Sequence, residues 1–536
     1  MARQSYVKNA AILTATSLIL RAAGMLFRIY IAGRIGAEGM GLHQLITTVY
    51  TMATTFATGG LSVAATRLCA QMMASDTRGG VRRAMRAALA LALGMGIAVA
   101  AALFFGAHAA SDWWLKDERA ALSLRILAPS LPFMALSACL RGFFMALRKV
   151  GPNARAQLFE QAVRIAVVAL CLDSASPYGA GAACAAVVLG NTVSEAASWV
   201  YMEICWRRAL RGLESEQETG HSRASPRPSG GEMHGNHHRG LTRKLLAIVA
   251  PIWGSGALTG VLRAIENVMV PTCLTLYLQD RTAALGAYGA LKGMAMPVIF
   301  FPFSFLATLS TLLLPEISEA HAQGRRGALR TLVERVLLLT LVLSILAGGL
   351  FTQFAKELGL WLYKSEEIGF YLTVLGPLMP LMYLESMVDG VLKGLGEQLS
   401  SFRYAAVDSF LRILLIALLV PRLGMKGFLF VMILSNLLTS LLNFARLLRV
   451  TEVPVRWMRW LVKPVASFLL AGTACRFILR PLADRFSFPL PVWTVAGALF
   501  TALIYALCIF LTGCMSVKDI QRMMPKKRAA ENPSKK

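Results

Sequence analysis

The sequence predicts an all-α polytopic membrane protein of about fourteen transmembrane helices, arranged as two six-helix pseudo-symmetric lobes with two extra C-terminal helices. Three observations carry that class. Apolar runs of about 20 residues, enough to cross a bilayer, recur along a chain that is 56% hydrophobic with a mean hydropathy of +0.57. Every second connection between those runs is basic. The chain also repeats itself at a constant offset near its middle.

In order, the runs predict helices over 10–32, 43–65, 87–107, 122–147, 156–173, 181–205, 245–270, 284–314, 331–352, 368–392, 404–420, 427–445, 460–479 and 491–513. Arg3 and Lys8 precede the first run, and no short apolar core with an A-x-A cleavage site follows, so a retained helix is expected there. Of the 55 Lys and Arg, 34 fall in alternate loops and the termini, 10 in the opposite loops and 11 within the spans. This positive-inside pattern predicts a multi-pass protein of the cytoplasmic membrane with both termini cytoplasmic. The formal net charge of +26 is therefore topology first and attraction to anionic lipid second, and no nucleic-acid partner is expected. Trp113, Trp114, Trp361 and Trp493 near one set of helix ends, and Trp206, Trp457 and Trp460 near the other, form an aromatic belt.

One long polar stretch, 207–243, is rich in Gly, Ser, Pro, Arg and His and reads as a flexible cytoplasmic linker. It separates an N-terminal lobe (1–206) from a C-terminal lobe (244–450), with 451–536 holding the last two helices and a basic tail. His234, His237 and His238 lie in the linker without a framing Cys or carboxylate cluster, so a solvated linker is preferred to a metal site. The nine cysteines have no paired spacing and read as small apolar fillers. No Walker, HExxH, GxSxG or CxxC framework occurs, so neither an enzyme nor a cofactor is expected.

The repeat sets 128–165 against 376–413 at an offset of 248. It pairs Pro129 with Pro377, Pro132 with Pro380, Gly142 with Gly390, Glu160 with Asp408 and Arg164 with Arg412. A second match sets Ile35–Gly41 (IGAEGMG) against Leu285–Leu291 (LGAYGAL). Six helices per copy is an even number, so both copies share one orientation, related by an axis along the membrane normal.

Charges inside the spans are the candidate functional groups, because a charge at bilayer depth is costly unless it meets a cavity or a partner. Arg21 and Arg28 lie seven residues apart, on one face of the first helix, with Arg21 about 16 Å from its start. That helix has no acid of its own, which favours a phosphate clamp over an internal ion pair for Arg21, while Arg28 is also placed to snorkel outward. Lys292, in an apolar Gly-rich helix, is the second-lobe candidate for the same cavity, or else an outward-snorkelling lysine. Arg263 with Glu266 at i+3, and the i,i+4 pairs Glu160–Arg164 and Asp408–Arg412, read as ion pairs that line a cavity or orient helices. Glu195, a lone acid in the sixth helix, and Glu385 with Asp389, on a stripe with Lys393, are candidate coupling acids. Gly24, Gly142 and Gly390 are candidates for close helix approach.

The segment ILTATSLILRAAGMLFRIYIAGRIGAEGMGLHQLITTVYTMATTFATGGLSVAATRL resembles the opening of the stage V sporulation protein B family of polysaccharide flippases. The stretch LRGFFMALRKVGPNARAQLFEQAVRI resembles another segment of that family through Arg141, Gly142, Phe144, Pro152, Gln157, Glu160, Gln161 and Arg164, with Ala146 where Gly is usual. YGALKGMAMP and LLLPEISEA resemble its second-lobe opening. The resemblance covers the first twelve helices. It implies a MATE-like fold within the multidrug/oligosaccharidyl-lipid/polysaccharide exporter superfamily, two lobes around a central cavity, and alternating access. It implies an undecaprenyl-diphosphate-linked sugar or oligosaccharide as substrate, lipid II or a polysaccharide precursor. Arg21 and Arg28 resemble first-helix cavity arginines of related lipid II flippases, spaced one residue differently. The last two helices resemble a pair that forms a groove for the lipid tail. Partners are then the lipid-linked anionic glycan and membrane lipids; a monomer and contacts with wall-synthesis proteins both stay open. Two other readings remain: a multidrug cation antiporter of the same fold, which the acid-free first helix argues against, and a membrane scaffold that recruits wall-synthesis enzymes through the linker.

Overall fold

Glycines and prolines set the joints of this all-helical chain. The computed structural model describes the backbone of residues 2–74, 80–219, 236–485 and 489–515, and the side chains within them except 2–15, 74, 213–219, 236–242, 308–312 and 483–484. Ten of the described helices are long and apolar enough to cross a membrane. One of these, Gln398–Thr451, contains two rods, and α1, itself two rods, is not among the ten, so the count is compatible with the expected fourteen.

By packing, the chain divides into two compact units, 1–297 with 406–432, and 298–405 with 433–536. The first unit opens with α1 (Ala2–Thr58), which is two rods joined at Gly36. At φ 70° and ψ −177°, Gly36 takes a conformation closed to most side chains, and the chain turns back there. Gly179 and Gly424 repeat that turn at φ 95° and 59°, ending two other long rods in the same way. The expected helix 43–65 is broken at Gly59–Gly60 and resumes as α2 (Leu61–Ala74). Then come α3 (Gly80–Ala109), closed by a π-turn over Ala110–Leu115, α4 (Ala120–Leu127), α5 (Ser130–Ala146), α6 (Gly151–Ala175) and α7 (Ala180–Thr219). The expected helix 122–147 is in two pieces because Pro129 has no N–H to continue the ladder. Next are α8 (Asn236–Leu278) and α9 (Arg281–Tyr288), the latter running on through a π-helical stretch, Gly289–Ala295. Asp280 caps α9 by accepting a hydrogen bond from the Thr282 N–H at 2.8 Å. Residues 220–235 of the expected linker, with His234, lie outside the described residues, as do the side chains of His237 and His238; α7 and α8 reach into its two ends.

The two IGAEGMG-like segments cross within this unit. A Cβ on Gly41 would run into the Leu285 carbonyl, and one on Gly289 into the Ala37 carbonyl and Gly41 N–H. The second rod of α1 and α9 with its π-extension therefore touch backbone to backbone. Gly142 serves the same purpose, facing the Ser62 carbonyl of α2. Gly24 and Gly390 do not: the first has open space around it and the second only ordinary contact with Leu314 at 3.8 Å.

The second unit contains α10 (Met296–Phe300), most of which belongs to it, α11 (Phe303–Ala322), α12 (Arg326–Gln353), α13 (Ala355–Tyr363), α14 (Glu366–Leu375) and α15 (Met379–Gly394). Pro377 interrupts the expected helix 368–392 between α14 and α15, as its repeat partner Pro129 does between α4 and α5. α16 (Gln398–Thr451) supplies residues to both units and turns at Gly424. After it come α17 (Lys463–Ala474), α18 (Arg480–Arg485) and α19 (Leu490–Leu511); α17 packs on α12, and α19 on α12 and α13. The Tyr505 hydroxyl donates to the Val342 carbonyl at 2.8 Å, and Phe468 fills the space beside Gly349. All nine cysteines are free.

Candidate functional site

The membrane-depth charges of the first unit are gathered into two networks, one per repeat. In the first, Glu160 on α6 accepts from two arginines: Arg164 one turn along at 2.8 Å, and Arg141 on α5 at 2.9 Å. Arg164 also faces Glu195 on α7, 3.8 Å away, and donates to the Ser194 hydroxyl at 3.4 Å. Tyr50, on the second rod of α1, shares a hydrogen bond with Ser130 at 2.7 Å and lies within electrostatic reach of Glu195. Glu195 is thus not a lone acid. The packing of α7 on α6 turns it toward Arg164, which single-sequence spacing within one helix does not reveal.

In the second network Arg412 on α16 is the centre. It is paired with Asp408, one turn back, and with Glu266 on α8 at 3.1 and 3.3 Å. Glu266 was expected to pair with Arg263, and that pairing is not made. Glu266 is buried and turned to Arg412, while Arg263 is exposed. Lys292 joins from the π-helical stretch, its Nζ 5.6 Å from the Phe428 ring centroid and within electrostatic reach of Glu266 and Arg412. It therefore has an acid neighbour, supplied by α8 and not by its own helix. Tyr288, one turn before Lys292, is fully buried.

Arg21 stands apart. It is exposed on the first rod of α1 and makes no ion pair or hydrogen bond among the described residues. Arg28, half-buried two turns on, exerts its charge on His43 of the second rod. Met40, one turn before His43, lies against Gly293, the neighbour of Lys292. Arg28 and Lys292 thus both border the region where α1 crosses the π-helical stretch, while nothing joins Arg21 to either network. Arg263, like Arg21, makes no ion pair or hydrogen bond among the described residues.

The acids of the second unit are engaged differently. Asp389 pairs with Lys393 at 2.6 Å and accepts from Ser401, and Glu385 is half-buried on the same helix. No group of three or more His, Cys, Asp or Glu arranged for a metal is found among the described residues.

Spacing within helices found Glu160–Arg164 and Asp408–Arg412. It missed the role of Arg141, named only among the residues of the family-like segment. It also missed a cluster at the turn end of the first unit, where Asp117 is held by Arg119 and Arg281, and Arg119 by Glu38. Those charges flank spans and read as loop.

Comparison with known proteins accounts for the architecture. Residues 6–321 match the family described as polysaccharide biosynthesis protein, and 269–418 match the family MatE. Stage V sporulation protein B of Bacillus subtilis (strain 168) is 26% identical over 499 residues, 91% of each chain. Among solved structures, the lipid II flippase MurJ in an inward closed conformation aligns with a TM-score of 0.68 at 14% identity, covering 94% of this chain and 98% of that one. An inward-facing multidrug resistance MATE family transporter of the MOP superfamily aligns at 0.61 and 12% identity, covering 83% and 98%. At these identities the structural likeness concerns the fold.

Proposed function

The chain belongs to the polysaccharide biosynthesis protein family, and from that premise we propose that it is a flippase: a carrier, not an enzyme, that moves an undecaprenyl-diphosphate-linked sugar or oligosaccharide, lipid II or a polysaccharide precursor, across the cytoplasmic membrane by alternating access. The observation that carries this reading is Arg21, a guanidinium at membrane depth with no protein anion to neutralise it among the described residues. A fixed charge there costs free energy unless a ligand meets it. A diphosphate suits the planar Arg fork. Arg28 extends the positive region, Lys292 stands beside it as a candidate that Glu266 already faces, and Arg263, not paired with Glu266, adds a second exposed arginine. Arg263 lies 15 residues before Leu278 and Arg21 15 residues before Gly36, each about 22 Å from the turn that ends its rod.

The balance of charge within the networks weighs against a cation antiporter. Glu160 and Glu195 are offset by Arg141 and Arg164, and Glu266 and Asp408 by Arg412 and Lys292, so these four acids are already matched by protein cations. In this reading 1–206 and 244–450 act as the two moving lobes, the termini are cytoplasmic, and Glu195, Glu385 and Asp389 are the acids on which any coupling cation would act. The experiment is a leaflet-accessibility assay for lipid-linked sugar in cells that depend on this protein. Arg21→Ala should abolish outward appearance of the substrate while the protein remains in the membrane. Unchanged translocation overturns the clamp, and unchanged cell-wall function with no translocation in either form points to the scaffold.

A further inference from the structure

The end of the first unit at which α1 turns at Gly36 carries a charge cluster that the transport site does not use. The π-turn after α3 leaves Lys116 in a left-handed conformation (φ 54°), and this directs Asp117 inward, where it is buried. Its loop is fixed by hydrogen bonds from the Ser111 hydroxyl to the Asp117 carbonyl (2.5 Å) and from the Asp117 N–H to the Ser111 carbonyl (2.9 Å). Arg119 grips the carboxylate with two nitrogens, at 3.0 and 2.9 Å, and reaches Glu38, just past the Gly36 turn, at 2.6 Å. Arg281, the first residue of α9, approaches the same carboxylate at 3.9 Å and donates to the Leu115 carbonyl. Asp117, Arg119 and Glu38 belong to the first repeat and Arg281 to the second.

Just below this cluster, α1 and α9 cross on bare backbone through Gly41 and Gly289. At these two glycines no side chain stands between the rods, so that part of the crossing can separate without unthreading. At the turn end, outside the Met40–Gly293 contact, the charge cluster joins the two rods. Arg281, the member from the second repeat, has a side chain 26% accessible and lies 3.9 Å from Asp117, so water can replace this long contact at modest cost while Arg119 still holds Asp117.

We propose that Asp117, Arg119, Arg281 and Glu38 form the releasable lock of an outer gate, which closes the α1–α9 crossing and opens when Arg281 leaves Asp117. The proposal rests on the alternating-access reading and deepens it by naming the contact that must break.

The test reads conformation and not transport. Thr51→Cys, on an exposed position of α1 one turn before Thr55, whose methyl lies against Gly256 of α8, is the reporter. A membrane-impermeant maleimide is applied to intact cells, and labelling at position 51 is read by mass spectrometry, which separates it from the native cysteines. Arg281→Gln should raise the labelling rate by roughly threefold, the factor expected for loss of the hydrogen bond to the Leu115 carbonyl and of a long contact to Asp117. Arg281→Lys, which keeps the charge, should restore most of the native rate. Equal labelling in Arg281→Gln, Arg281→Lys and the parent overturns the lock. Opened gates in a chain that moves no lipid-linked sugar overturn the flippase reading and leave the lock standing.

Discussion

The two buried networks use the same repeat element in opposite ways. Each is built on an acid and an arginine one turn apart, Glu160–Arg164 and Asp408–Arg412. In the first an acid sits between two arginines; in the second an arginine sits between two acids. The third member, Arg141 or Glu266, comes from a different helix and has opposite charge in the two copies. The fourth, Glu195 or Lys292, brings each set back to neutrality. The repeat therefore conserves a local pair within the chain, while long-range packing decides which member becomes the centre. The copies also differ in access to water. The difference lies in the acids: Glu160 is 14% exposed and its repeat partner Asp408 5%, while the paired arginines Arg164 and Arg412 are alike at 25% and 26%.

That difference predicts unequal damage when each centre is removed. Arg412→Gln leaves two buried carboxylates facing each other and should cost about 3–5 kcal/mol, the usual penalty for stranding a buried charge. In detergent this would appear as a fall of roughly 4 °C in melting temperature, followed by fluorescence-detected size exclusion. Replacing the whole set (Glu266→Gln, Asp408→Asn, Arg412→Met) should recover most of the loss, because no uncompensated charge remains. If the single and triple variants melt together, Arg412 does not act as the compensating centre. Glu160→Gln should be milder, about 1–3 kcal/mol, because the released arginines can extend toward water. Equal losses for Arg412→Gln and Glu160→Gln would break the comparison. Glu195→Gln, which removes a contact of 3.8 Å, should cost less than about 1 kcal/mol in the same assay.

These networks also show why part of the site was legible in the sequence. Acid–arginine spacing within one helix is a local signal, and both i,i+4 pairs form as read. The same local reasoning failed for Arg263–Glu266, since an equally short spacing lost to a partner 146 residues away. The prolines of the repeat were visible as residues, but their consequence, a break between α4 and α5 and another between α14 and α15, was not drawn from spacing. Gly59–Gly60 likewise ended a rod that hydropathy alone ran on to 65, because hydropathy does not register a backbone that prefers to turn. The lock around Asp117 was illegible for a further reason: its four residues come from three separate connections, and each looks like an ordinary loop charge.

The smallest expected effect comes from a pair outside the spans, which serves as a control for the buried ones. Glu397, just before α16, is bound by Arg446 at 2.8 Å and by the Ser400 hydroxyl at 2.7 Å. The Ser400 hydrogen bond, and then Arg446, hold its carboxyl below the usual carboxylate range. The folded chain thus binds this proton less readily than the unfolded chain. The stabilisation is complete above the ordinary glutamate pKa of about 4.3 and fades as pH falls through that value toward the lowered one. Arg446→Gln should therefore lower the melting temperature at pH 7 by at most roughly 2 °C, with the difference shrinking below pH 4. High salt should shrink it too, since this pair lies near water. The Arg412→Gln deficit should persist in high salt, because its charges are shielded by protein and not by ions. A salt-sensitive Arg412 deficit would mean that the second network is as open to solvent as the control, and the contrast between the two repeats would then rest on geometry alone.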